Sequence, residues 1–202
     1  MLGGVIAAVV VVVVGGLLGG ALGGPVGLAV AAAVGLGFGA AFGWAVAVSR
    51  SYDLRSARGA LLFVVDHTWS LLNTLAGATF LVLNVAAGNR VDRALGRHTG
   101  CVMLSRGFLR SFATTIGTVQ AGTTPRIRRH EDTHVLQARL FGPLYLPLVV
   151  AHYVVATLVP YWLVHHDRVG RPIDSVGAYF LRGVYPNVWH EKWAYAVEGS
   201  PP

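Results

Sequence analysis

Residues 123–143 read "TTPRIRRHEDTHVLQARLFGP", and they carry both the punctuation of one helix and the side chains of a metal site. Thr124 is a capping residue type and Pro125 suits the first helical position. Gly142 suits the position just past the end, and Pro143 forbids continuation. The segment therefore predicts a helix over about 125–141. His130 and His134 then share one face, with Cβ atoms about 5–6 Å apart. That spacing lets two imidazoles ligate one zinc ion at about 2.0–2.1 Å each. Glu131 lies one position on, angled to the side, where it can take a proton from a water at the metal without being a ligand itself. The competing reading is a polar helix face whose histidines bond backbone or water.

A hydrolytic zinc site needs a third protein ligand and an open position for water. Gln137 and Leu140 stand where a metzincin has its glycine and third histidine, so that class is excluded. The acids further on are Asp167, Asp174, Glu191 and Glu198. Glu191 lies in "NVWHEKWAYAVE" (187–198), which reads as a short amphipathic helix. Its neighbour three on, Ala194, is small enough for close approach to the first helix. His165 and His166, beside Asp167, are an alternative source of the ligand. His152 reads as a satisfied buried histidine.

HExxH followed some tens of residues later by ExxA resembles the gluzincin metallopeptidases, especially their integral-membrane members, whose late motif is usually ExxAD. Tyr195 stands where that Asp would fall. The stretches "RHEDTHVLQARLFGPLYLP" and "NVWHEKWAYA" are also similar to a group of small uncharacterised bacterial membrane proteins sharing HExxHVxQ, GPL and a late E..A. The resemblance covers about residues 112–198. It implies a zincin-like domain with zinc held by His130, His134 and Glu191. By the same resemblance, Glu131 is general base and then general acid to the leaving amine. A strand at 113–121 is the sheet edge along which an extended peptide lies, and the oxyanion partner comes from Tyr179, His190 or Tyr195. In the family the Asp of ExxAD helps orient a ligand histidine.

Composition points to a membrane. Hydrophobic residues are 54% of the 202, charged residues 12%, and the mean hydropathy is +0.58. Net charge +7 and a pI near 10.2 suit a face turned to anionic lipid. No nucleic-acid motif accompanies the charge, so nucleic acid is not an expected partner. Cys101, the single cysteine, cannot form an intramolecular disulfide and reads as a small buried apolar residue.

From Leu2 to Val48 there is no charged side chain, which excludes a signal peptide with its basic start and short apolar core. About 20 residues span a bilayer, so this run predicts two spans near 3–22 and 26–48, turning at "GGPVG" (23–27). Gly15, Gly19, Gly23, Gly27, Ala31, Gly35, Gly39 and Gly43 recur every fourth residue, a glycine-zipper spacing. Such a row packs the two helices into a hairpin or, alternatively, joins copies of the chain into a homo-oligomer or pore. Arg50, Arg55 and Arg58 follow directly, which places that end on the cytoplasmic side.

Residues 69–88 are long enough to span. However, Asn73 and Asn84 within, and Arg90, Arg93 and Arg97 after, predict a helix packed in the interface or against the domain. "CVML" (101–104) and residues 112–122 read as strands, with 105–111 as the turn region. Arg126, Arg128 and Arg129 are expected to face water or lipid phosphate. Residues 144–164 also look like a span, yet one full crossing would part Glu191 from His130 and His134. The zinc reading therefore requires this segment to be re-entrant, buried or interfacial.

The expected fold is thus an α+β membrane protein, with a glycine-zipper transmembrane hairpin over 1–50 and a mainly helical, membrane-associated zincin-like domain with a small sheet over 51–202. The expected function is a zinc-dependent metallopeptidase of the cytoplasmic membrane, multi-pass, with its catalytic domain on the cytoplasmic side and membrane or membrane-proximal peptides as substrates. The alternative is a non-enzymatic glycine-zipper assembly or pore-forming protein with an inert metal site.

Overall fold

The uncharged run forms α1 (Leu2–Ser49), helical throughout except at Gly23 (φ −132°, ψ 15°) and Gly24 (φ 58°, ψ −149°). The computed structural model describes residues 1–108, 112–167 and 169–200. Gly24 has the backbone freedom that the reversal requires, and Pro25 opens the second half where a missing N–H is no loss. The halves, residues 2–22 and 25–49, lie against each other. A Cβ on Gly39 would sit 2.7 Å from Ala8 O, and Gly43 abuts Gly4 just as Gly19 abuts Gly27. Each half is about 30 Å or longer at 1.5 Å per residue, enough to cross a hydrocarbon core. Side chains around the bend are open to the surroundings, with Leu22 90% and Val26 73% exposed.

The opposite, open end of the bent helix is built into the rest of the protein. Ala7, Val11, Phe42 and Val46 share one core with Phe63, Leu81, Val102 and Val119. That core also takes in α2 (Ala57–His67), whose N-terminus is capped by Ser56 Oγ accepting from Gly59 N–H at 3.0 Å. After an 87° bend comes α3 (Leu71–Ala86). Here α3 packs against the domain as expected, burying Asn73, Thr74 and Asn84 and bringing Gly77 against the backbone of Ile116. The following loop returns to the exit of α1: His98 N–H donates to Arg50 O at 3.0 Å and Gly100 N–H to Ser51 O at 2.8 Å.

The sheet has the order β1-β3-β2, from β1 (Val102–Leu104), β2 (Thr114–Ile116) and β3 (Val119–Ala121). β1 runs parallel to β3, and β2 antiparallel to it. The single strand expected over 112–122 is in fact a hairpin. Gly117 takes a left-handed φ of 56°, which reverses the chain and seats the turn against the Asn73 backbone. An isolated antiparallel bridge from Val91 to Leu104 closes the far side of β1, so β2 is the opposite edge. Of the turn region expected at 105–111, residues 109–111 lie outside the described residues.

The expected helix over 125–141 is α4 (Arg128–Phe141), which starts three residues later and has no side-chain cap, so Thr124 does not cap it. Its end is as read: Gly142 has φ 54°. Asn73 and Ser70 of the neighbouring segment satisfy its terminal carbonyls. Asn73 Nδ2 donates to Gly142 O at 2.7 Å and Ala138 O at 3.1 Å, and Ser70 Oγ donates to Ala138 O at 3.0 Å. A buried ion pair ties α4 to α2: Arg139 donates two bonds of 2.8 Å to the Asp66 carboxylate, which also accepts from Tyr52 Oη at 2.8 Å.

A 3₁₀ turn, Gly142–Leu144, leads into α5 (Tyr145–Leu158). The stretches Leu2–Ser49 and Arg128–Leu158 are each long and apolar enough to cross a membrane. The apolar α5 alone is only 14 residues, about 21 Å. Beyond it the chain makes another 3₁₀ turn, Tyr161–Val164. It then returns through α6 (Val176–Ala178), a π-helical turn at Tyr179–Val184, and α7 (Tyr185–Asn187) to α8 (Trp189–Glu198), which packs on α4. His152 of α5 accepts from Trp189 N–H at 2.9 Å, joining the outgoing and returning arms. Segment 144–164 therefore does not separate the two halves of the candidate site.

Candidate metal centre

α4 is amphipathic, and the face it buries is polar: His130, Glu131, His134 and Gln137 are all buried. α8 buries His190, Glu191 and Ala194. Ala194 is fully buried, as the close approach of the two helices requires. His130, His134 and Glu191 meet, with ligand atoms all within 4.8 Å of one another, and they form a group suited to hold a metal ion. Glu191 Oε2 lies 3.1 Å from His130 Nε2 and 3.6 Å from His134 Nε2. Two ligands of a tetrahedral zinc ion at about 2.0–2.1 Å are separated by ~3.3 Å, and the two Glu191–histidine spacings lie either side of that value.

The outer nitrogens of both imidazoles are oriented. His130 Nδ1 lies 3.3 Å from Glu198 Oε2, and His134 Nδ1 3.0 Å from Gln137 Oε1. In an ion-bound centre an Nδ1–H donated outward would leave Nε2 with its lone pair toward the metal, the arrangement that raises ligand basicity and fixes the ring. Gln137 is held in turn, its Nε2 donating to His190 O at 2.9 Å. Glu198 was not read from the sequence as an orienting group. It follows Glu191 by seven residues, two helical turns, so it falls on the same face of α8, and that periodicity was the available signal. Tyr195, in the position of the missing Asp, packs edge-on against the His130 ring at 4.6 Å between centroids.

Burial alone would raise the Glu191 carboxyl. Hydrogen bonds from His130 and His134, aided by the charge of His134, outweigh it and hold the group at about 2. Burial pushes His190 down to about 4, so that imidazole is neutral at neutral pH. Its Nδ1 is buried without a hydrogen-bond partner among the described residues.

A cavity of about 380 Å³ opens beside the centre. Glu131, His134, His190 and Glu191 line one wall, and β2 with Phe112 and Ala113 lines another. Glu131 Oε2 accepts a 2.5 Å hydrogen bond from Thr115 Oγ1 on β2, which fixes the carboxylate between sheet and centre. Apolar side chains, among them Leu146, Val149, Phe180 and Leu181, complete the walls with Tyr145, Tyr153 and Tyr185. Burial, reinforced by the charge of Glu191, keeps the Tyr185 hydroxyl protonated far above its ordinary range.

Among the residues singled out in the sequence, Glu131, His130, His134, His190 and Glu191 are brought together. Tyr179 and Tyr195 are not among the residues lining this cavity. The Tyr179 hydroxyl donates to Thr157 O at 2.7 Å, and its ring packs edge-on against Trp162 at 5.1 Å. His166 faces Arg171 O at 2.7 Å, and His152 is engaged by Trp189 and Tyr161, so none of these supplies the third ligand atom of the group. Comparison of the chain with protein-family models, curated proteins and solved structures finds no match.

Proposed function

We propose that this chain is a membrane-anchored, zinc-dependent metallopeptidase that hydrolyses peptide bonds of membrane or membrane-proximal substrates. The observation that carries this reading is the meeting of His130, His134 and Glu191 at ligand distances, with Glu131 beside them at the wall of an apolar cavity. The gluzincin resemblance of HExxH and ExxA agrees with it, and the oriented Nδ1 atoms support zinc, which favours neutral imidazoles with a fixed tautomer. Bound zinc would polarise the scissile carbonyl and lower the pKa of attacking water toward neutrality.

The chain's own groups do the rest. Glu131, positioned by Thr115, takes the proton of the attacking water and hands it to the leaving amine. The free edge of β2 offers backbone groups to an extended substrate. Phe112, Ile116 and Leu146 receive an apolar side chain of that substrate. His190, which lines the cavity beside Glu131, is the side chain best placed to approach the developing oxyanion. The glycine row, read as a zipper, serves the hairpin that anchors the site, since Gly19, Gly39 and Gly43 already contact the opposing half.

The test is cleavage of a quenched-fluorescent apolar peptide by full-length protein in detergent with zinc supplied. We expect turnover that is lost at least ~10²-fold in Glu131→Gln, the magnitude of a general base, with zinc content unchanged. Zinc binding with no cleavage in the wild type would leave an inert metal site and refute the peptidase reading.

A further inference from the structure

We infer that the protein carries a binding site for the phosphate of an anionic phospholipid headgroup, formed by Arg90, Arg93 and Arg106 beside the open end of α1. The inference is independent of the peptidase reading. It rests on two adjoining cavities beside the Val91–Leu104 bridge. One, of about 690 Å³, is lined by Arg90, Ser105, Arg106 and Phe108 together with the backbone of Gly88 and Gly107. The other, of about 470 Å³, is lined by Trp44, Asn89, Arg90 and Arg93. Arg90 borders both.

Local backbone pairing brings these arginines together. Ser105 N–H donates to Arg90 O at 2.9 Å, and Val91 bridges Leu104, so Arg90 is held beside Ser105, the neighbour of Arg106. Among the described residues, no carboxylate forms an ion pair with Arg90, Arg93 or Arg106. The acid within the segment, Asp92, caps its own turn, accepting from Ala94 N–H at 3.0 Å and Leu95 N–H at 2.9 Å. Guanidinium groups left in this state beside polar backbone are chemically matched to a phosphate diester.

Position makes the ligand a lipid. Trp44 lies in the last turns of α1 and Phe108 beside the arginines, and they are 49% and 50% exposed. An aromatic belt at the end of a spanning helix marks headgroup depth, with acyl chains alongside the apolar helix surface and phosphates level with the arginines. Free inorganic phosphate shares the recognised chemistry but makes no use of Trp44 or Phe108.

The experiment uses full-length protein in a zwitterionic detergent. Its melting temperature is followed on titration with dihexanoyl-phosphatidylglycerol, dihexanoyl-phosphatidylcholine or inorganic phosphate. A saturable rise is expected with phosphatidylglycerol alone, and the Arg90→Gln/Arg106→Gln double variant should weaken it roughly thirtyfold, two basic contacts' worth. Unchanged melting of that variant without lipid, and an unchanged far-UV circular dichroism spectrum, verify its folding. An Arg55→Gln variant, at a residue that lines neither cavity, should titrate like the wild type. Equal stabilisation by inorganic phosphate would overturn the lipid assignment. So would a phosphatidylglycerol response that persists undiminished in the double variant, or no response at all in the wild type.

Discussion

At the scale of single residues, the metal centre depends on groups behind the ligands. Glu198 stands against His130 Nδ1, where it can orient the ring, while Tyr195 gives His130 an aromatic wall. Glu198→Gln should therefore lower zinc affinity about 10–100-fold, as competition with a fluorescent chelator would measure, and peptide cleavage should recover when zinc is raised. If Glu198 were merely a surface acid, affinity would not move. Proton competition sets a second expectation. The Glu191 carboxyl, held at about 2, stays ionised throughout the range in which imidazoles protonate. Metal retained at pH 7 should then be released as pH falls, because protons compete with the ion for the ligand nitrogens. The sign is fixed: falling pH adds protons to the ligand nitrogens and removes the ion. Stepwise dialysis with metal analysis checks this, and retention down to pH 3 would contradict histidine ligation.

At the scale of elements, α4 is held as a rigid platform by contacts that leave its polar face for the site. The Asp66–Arg139 pair fixes it to α2, with the Asp66 side chain 0% and the Arg139 side chain 13% exposed. Asp66→Ala leaves the guanidinium buried without its partner and should destabilise the protein by about 3–5 kcal/mol, measurable as a fall in denaturation midpoint. A change within ~0.5 kcal/mol would mean the pair is not holding α4. Neither Asp66 nor its partnership with Arg139 was legible in the sequence, because the two lie 73 positions apart and no periodicity links them. What was legible is local. The end of α4 was given by Gly142 and Pro143, the ligand pair by a four-residue spacing, and the turn of α1 by Gly23–Pro25. The start of α4 was misplaced because a favourable capping residue at Thr124 made no cap. The strand at 112–122 was read as one because a single glycine within an apolar run does not announce a reversal, whereas Gly117 makes one.

At the scale of the whole molecule, the broken α1 does two things at once. Its bend presents uncharged, exposed side chains suited to lipid, and its open end is buried in the same core as α3 and the sheet. A helix that shares a core with the sheet cannot swing freely, so β2 and the cavity keep a set attitude to the bent helix. The candidate centre also requires α5 to lead away from α4 and the chain to come back, since Glu191 lies 61 residues after His130. The need for that return is legible in the sequence but its route is not, because a π-helical turn and two helices of three residues carry no periodic signal.

The most direct measurement is the metal content of the purified full-length protein after zinc supply and removal of free ions. The account predicts about one zinc per chain in the wild type and in Glu131→Gln, and near-complete loss in His134→Ala and in Glu191→Gln. A wild type that retains no metal, or a Glu191→Gln variant that holds it as tightly as the wild type, would contradict the account.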